Sequence, residues 1–358
     1  MKKVAIVTIY DNNNYGNRLQ NYATQEVIKK LDMDVTTLKN SYLLNKECGN
    51  KQYIVQYIKF CIRNVQSYMQ NFSRRLKFDK FNKNIKLSKK YVTKYNINKL
   101  NNKFDYFICG SDQVWNPEFR RMTNFELLEF ADSQKRIAFS ASFGSSRIDE
   151  KYLKKAKKEL EKFKCISVRE NAGKEIVNKL TGRENIEVLV DPTMLLKKEE
   201  WGKIERKPKE LANGEKYILN YFLGEIPEEK KKAIEDFAKE KNYKIINILD
   251  KKSQFYKTGP SEFLFLVHNA QFVFTDSFHA CVFSILYNKP FYVMERVAKG
   301  MKSMNSRIDT LLNKMGLQDR VFKTDIKEEN SEDIYRNVNE KLNAEREKAL
   351  KFMRNALN

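Results

Sequence analysis

FVFTDSFHACVFSILYNKPFYV, residues 272–293, opens on an apolar run, Phe272-Val273-Phe274, and closes on another, Phe291–Val293. Between them Phe278–Tyr287 carry apolar side chains at helical spacing, and Lys289-Pro290 ends that segment. Strand, helix and strand in so short a span predict one βαβ unit of a parallel sheet. His279, one of 2 histidines in the chain, sits where the first strand hands over to the helix. Ligands of doubly wound folds bind beyond the carboxyl ends of the strands, so this junction is a place to look for function.

The same alternation extends in both directions. Strands are predicted at Val4–Ile9, Val35–Leu38, Tyr106–Cys109, Arg136–Ser140, Cys165–Val168, Glu187–Val190, Tyr217–Tyr221, Lys244–Ile248, Phe272–Thr275 and Phe291–Val293. Helices are predicted at Arg18–Leu31, Glu150–Lys162, Asn171–Leu180, Glu228–Lys241, Ser261–Asn269 and Phe278–Tyr287. The implied fold class is α/β, with two Rossmann-like domains facing a cleft. A polar stretch near Asp191–Gly214 separates them, giving a first domain over residues 1–200 and a second over 201–328. Residues 329–358 read as one long charged helix returning toward the first domain.

One segment breaks the alternation. Residues 44–90 hold no strand, and Ile54, Tyr57, Ile58, Cys61, Ile62, Val65, Met69 and Phe72 recur at spacings of three and four. That marks an amphipathic helical insertion, with 12 Lys or Arg against 2 acids across 44–90. Its basic face is expected either to be simply solvated or to meet anionic lipid headgroups or a lipid-linked substrate.

Composition narrows the classes. The formal net charge of +22 suits anionic partners such as a phosphorylated substrate or an anionic membrane surface. Nucleic acid is not expected, because no binding module is recognisable. Two histidines and no Cys/His cluster argue against zinc, and 5 cysteines without CxxC read as buried free thiols in a reducing compartment. No apolar run approaches the roughly 20 residues of a membrane span. The run after Met1 is short and lacks a cleavage site, so it reads as a first strand, and a cytoplasmic location is expected.

Loops after the strands carry the candidate residues. YDNNNYGNRLQNYA, residues 10–23, places Gly16 and Asn17 at a turn before a helix, where backbone N–H groups can hold an anion. It is not GxGxxG, so no dinucleotide fingerprint is present. GSDQVWNP, residues 110–117, clusters Ser111, Asp112, Gln113 and Asn116 beside Trp115. ASFGSS, residues 141–146, is small and suited to close backbone approach. Arg169 follows the strand Cys165–Val168, and its planar fork can bind two oxygens of a phosphate or carboxylate, or pair with an acid. Asp191 either caps a turn or faces the cleft. Asp276 and Ser277 open the helix bearing His279, where partial positive charge suits an anion. His279 can donate a proton to, or hydrogen-bond, such a ligand. His268, within a helical segment, reads as structural. Lys302 and Arg307 in KSMNSRI, residues 302–308, add cations at another helix start.

YGNRLQNYA, FDYFICGSDQVWNP, RIAFSASFG, SVRENAG, VDPTMLL, GPSEFLFLVHNA and TDSFHACVFSILYNKPF together resemble the polysaccharide pyruvyl transferase family, in the family's order, over residues 5 to about 315. The resemblance implies a GT-B-like arrangement and transfer of the pyruvyl group of phosphoenolpyruvate onto a pair of sugar hydroxyls as a cyclic ketal. It implies a glycan or lipid-linked oligosaccharide acceptor, phosphoenolpyruvate as co-substrate, no metal or other cofactor, and work at the inner face of a membrane. By position it implies His279 as the catalytic acid and Arg169 as a donor ligand, with Asp112, or else Asp191 or Asp276, as base or sugar-hydroxyl binder. Ser277 stands where some members carry arginine, and Arg307 or Lys302 is expected to supply the missing charge. A glycosyltransferase using a nucleotide sugar, or a non-catalytic glycan-binding protein, are the alternative readings.

Overall fold

A computed structural model describes residues 1–10, 13–40, 50–119, 122–296, 306–323, 325–327 and 330–358. The chain divides into two compact units. The first comprises Met1–Leu195 with Ala349–Asn358. Its sheet joins β1 (Lys3–Val7), β2 (Asp34–Thr37), β3 (Tyr106–Cys109), β4 (Arg136–Ala141), β5 (Cys165–Val168) and β6 (Glu187–Val188) in the order β2-β1-β3-β4-β5-β6. Each strand runs parallel to its neighbours. α1 (Tyr15–Lys29), α2 (Asn50–Gln70), α3 (Phe72–Asn82), α4 (Glu150–Leu160) and α5 (Asn171–Thr181) complete it.

The second unit, Leu196–Lys348, holds a parallel sheet of β7 (Tyr217–Tyr221), β8 (Lys244–Asn247), β9 (Phe272–Thr275) and β10 (Phe291–Val293), in the order β10-β9-β7-β8. Its helices are α6 (Lys198–Gly202), α7 (Glu228–Glu240), α8 (Pro260–Asn269), α9 (Phe278–Leu286), α10 (Ser306–Met315) and α11 (Ser331–Tyr335). α12 (Val338–Leu357) begins here, and its last turns belong to the first unit, where Phe352 stacks on Phe139 and the Ala356 carbonyl accepts from Lys164.

The expected α/β fold with two parallel sheets is present. β3, β4, β7, β9 and β10 are buried throughout, as parallel strands covered on both faces must be, which is why they read as largely apolar runs, interrupted by Arg136, Ser140 and Asn220. In the first core Trp115 lies edge-on to Phe163, and in the second Trp201 lies edge-on to Phe283. Both sheets reverse their winding once. The reversal falls between β1 and β3 in the first unit and between β7 and β9 in the second. At such points the loops leave in opposite directions and open a crevice for ligands.

Two elements differ from expectation. α1 begins at Tyr15, earlier than Arg18, because Asn14 caps it by accepting from the Asn17 N–H at 3.2 Å. The C-terminal segment forms two helices, α11 and α12, separated at Arg336-Asn337. The insertion is helical as expected. Arg74 anchors α3, with its buried guanidinium over the Tyr15 and Phe78 rings and donating to the Asn13 carbonyl. α2 turns Tyr57 and Phe60 inward, and Phe60 meets Tyr91 edge-on. The apolar stripe of α2 faces outward, the reverse of the usual amphipathic arrangement.

Candidate active site

At the switch point of the first unit, the strand ends carry a buried polar cluster. β3 runs into Gly110, whose φ of 123° only glycine adopts freely, and a Cβ there would overlap the Phe139 carbonyl oxygen. The close approach brings Ser111 and Asp112 over the end of β4. β4 itself is irregular between Ala138 and Ala141, and Ser140 adopts a left-handed φ of 47°. That irregularity aims the Ser140 hydroxyl at the Val190 carbonyl, 2.8 Å away, and its carbonyl at the Ser111 hydroxyl, 3.1 Å away. On the other side, the Ser111 carbonyl accepts from Thr8, whose hydroxyl in turn accepts from Gln20 on α1. Gln20 also donates to the Asn17 carbonyl, so the Gly16-Asn17 turn and the Ser111 loop are joined.

Arg169 lies at the centre of this cluster. It donates to Asp191 Oδ2 at 2.7 Å, and its other terminal nitrogen lies 3.5 Å from Asp112 Oδ1. Burial opposes its charge, but Asp191, Asp112 and Glu170 outweigh burial and hold its pKa above the ordinary value. The guanidinium is therefore cationic at every working pH. The fork that sequence assigns to a donor anion is here engaged by protein carboxylates.

The carboxylates differ in what they have left to offer. Asp191 is fully buried. Its Oδ2 also meets the Ser111 hydroxyl at 2.7 Å, and its Oδ1 accepts from the Thr193 N–H and hydroxyl. It caps the turn after β6. Asp112 spends Oδ1 on Arg169 and on the Gln113 N–H, and Oδ2 accepts nothing among the described residues. Glu170 points Oε1 at the Phe143 N–H and the Ser142 hydroxyl, tying the ASFG loop down. Gln113 and Asn116 bond each other at 2.6 Å beneath Gly144. Gly144 has φ +65°, and a Cβ on it would overlap the Gln113 side chain.

At the switch point of the second unit, Asp276 spans the crevice. Its Oδ1 accepts from the Leu223 N–H at 2.7 Å and its Oδ2 from the Gly224 N–H at 2.8 Å, joining the loop after β7 to the loop after β9. Arg296 donates to Oδ2 and to the Asp276 carbonyl. Asp276 is thus a loop latch. Ser277 is the N-cap residue of α9 without a side-chain capping bond, and its N–H donates to the Thr275 hydroxyl. His279 lies in the first turn of α9, 7% exposed, in a helix buried along its whole length. α10 packs on α9 and carries the buried Arg307 as its second residue. Lys302 lies outside the described residues. A cavity of about 390 Å³ opens at the ends of β7 and β8. Asn220, Phe222, Gly224, Lys231, Asn247 and Asp250 line it, and the buried Asn220 Oδ1 accepts nothing among the described residues.

Sequence reading singled out His279, Asp112, Arg169 and Asp191, and the structure gathers the last three with Ser111. It passed over Thr8, Gln20 and Arg296. Arg296 comes soon after β10 and was accessible to the same rule, that strand-end loops carry the chemistry. His268 is structural: it pairs with Glu205 at 3.0 Å and stacks on Tyr287. Burial pushes the Cys109 and Cys281 thiols upward, which keeps them protonated and poor nucleophiles. Among the described residues no group of His, Cys, Asp and Glu is arranged to hold a metal ion.

Solved structures show the same fold at low identity. A putative UDP-N-acetylglucosamine 2-epimerase from Listeria monocytogenes superposes with a TM-score of 0.52 at 10% identity, over 99% of this chain and 90% of that one. UDP-N-acetylglucosamine 2-epimerase from Rickettsia bellii does so with a TM-score of 0.50 at 11% identity, over 100% of this chain and 97% of that one. No curated protein matches the sequence. The family model for polysaccharide pyruvyl transferase matches residues 14–296, from the cap of α1 through both switch points to Arg296. A match over most of the sequence, on a fold built from two parallel sheets, makes the protein a transferase and places the chain in the polysaccharide pyruvyl transferase family.

Proposed function

We propose that this chain transfers the pyruvyl group of phosphoenolpyruvate onto two hydroxyls of a sugar, closing a cyclic ketal on a lipid-linked precursor of a cell-surface polysaccharide. The observation that carries the reading is the family match, which spans both the Asp112 loop and the β9–α9 junction. His279 delivers a proton to the methylene carbon of the donor. The cationic carbon formed beside it is attacked by the first hydroxyl, whose proton passes to Asp112 Oδ2. The bond to phosphate then breaks, the second hydroxyl closes the ring, and its proton leaves with the phosphate. Arg169 is a positioning residue that orients Asp112. The N-terminus of α9, with Arg307 and Lys302, supplies positive charge for the donor's phosphate and carboxylate. No metal or organic cofactor enters this scheme.

A lipid-linked acceptor brings the reaction to the cytoplasmic face of a membrane. The test is release of inorganic phosphate from phosphoenolpyruvate in the presence of lipid-linked saccharides. His279→Ala should lower turnover about a hundredfold or more, within the 10²–10⁴ range typical of a lost general acid. Near-normal turnover in that variant would remove His279 from the mechanism. Sugar transfer from a nucleotide sugar, with no use of phosphoenolpyruvate, would favour the glycosyltransferase reading.

A further inference from the structure

We propose that the outward face of α2 docks on an anionic lipid bilayer, lying in its interfacial plane. Ile54, Ile58, Ile62, Val65 and Met69 follow one another at spacings of four and three, so they share one face of the helix. They span about 22 Å at a rise of 1.5 Å per residue. All are more than half exposed, and Phe72 and Leu76 at the start of α3 are nearly so. A continuous apolar stripe of this length, turned to solvent while Tyr57 and Phe60 face the protein, is a surface that excludes water only when something covers it.

Charge selects the occupant. Residues 50–78 contain six Lys or Arg and no Asp or Glu. Lys51, Lys59 and Arg63 on α2 are exposed. On a helical wheel of about 100° per residue Lys51 falls within the stripe, Lys59 lies about 60° beyond one edge and Arg63 farther round on the same side. The apolar side can thus enter the acyl boundary while Lys51 and Lys59 meet headgroup phosphates. A second copy fits less well. Antiparallel pairing along the stripe would set Lys59 of each copy on the same edge of the seam. Among the described residues no helix is long and apolar enough to cross a membrane, so α2 lies on the bilayer without spanning it. The inference deepens the lipid-linked acceptor proposed above, but it rests on α2 alone.

The experiment is cosedimentation of the full chain with vesicles of phosphatidylcholine alone and of phosphatidylcholine mixed with phosphatidylglycerol. Sedimentation velocity runs in parallel without lipid. Wild type should bind the anionic vesicles at least tenfold more tightly than the neutral ones, and added salt should weaken binding. Ile58→Glu/Val65→Glu and Lys59→Glu/Arg63→Glu should each weaken it more than tenfold. Both pairs are exposed, so the circular dichroism melt should match wild type. Failure of wild type to bind anionic vesicles would overturn the proposal, as would unchanged binding by Ile58→Glu/Val65→Glu. So would a wild-type dimer that those glutamates dissociate. Phosphate release from phosphoenolpyruvate with a soluble saccharide acceptor is measured separately. Catalysis without vesicle binding would sink the docking face alone, and binding without catalysis would sink the proposed chemistry alone.

Discussion

Replacing Arg169 with alanine removes the only cation described among Asp191, Asp112 and Glu170. Asp191 and Glu170 are fully buried and Asp112 is 5% exposed, so bulk solvent screens their charges little. Breaking a buried pair by deleting one partner typically costs about 3–5 kcal/mol. In a unit of this size each kcal/mol moves the melting midpoint by about 2–4 °C, so the first unit should melt roughly 6–20 °C lower. The wild-type pair does not titrate through Arg169, whose raised pKa keeps it charged far above neutrality. Arg169→Lys keeps the charge without the fork and should fall between the two. Arg169→Ala/Asp191→Asn should cost less than the sum of its parts. Calorimetric melts at neutral pH decide the matter. A midpoint within about 2 °C of wild type at neutral pH would refute the claim that these groups depend on one another.

Other outcomes rest on the same geometry. Gly144→Ala should destabilise by about 1–3 kcal/mol, because φ +65° is strained for alanine and its Cβ overlaps Gln113. Adding Gln113→Ala should recover part of that loss in denaturant titrations. Glu159 is paired with Arg136 at 2.8 Å. Burial pushes its pKa up, but Arg136 and Lys162 overcome this and hold it below its ordinary 4.5. Its contribution is thus present above about pH 4.5 and is lost as pH falls through the lower folded value. Glu159→Gln should be less stable than wild type at neutral pH, with the gap between the two melts closing as pH is lowered below 4.5.

The central strands were legible because parallel strands covered on both faces are mostly apolar. All ten expected strands are present, with only their ends moved. Loop chemistry was legible in type and not in partnership. An arginine after a strand looks the same whether it awaits an anion or holds Asp191, 22 residues on, and Asp112, 57 residues back. The Asp276 latch was invisible for a related reason. Its partners are the backbone N–H groups of Leu223 and Gly224, which have no side-chain signature. Periodicity in 44–90 identified a helix and its stripe. It carried no information about which side the protein covers, since Tyr57 and Phe60 are as apolar as the face left outside.

The most direct measurement is mass-spectrometric and NMR detection of product after incubating the protein with phosphoenolpyruvate and a panel of lipid-diphosphate-linked mono- and disaccharides. The account predicts a pyruvate ketal on at least one acceptor, with one phosphate released per ketal, and loss of both signals in His279→Ala and Asp112→Asn. Unmodified acceptors across the panel, alongside sugar transfer from a nucleotide-sugar donor, would contradict it.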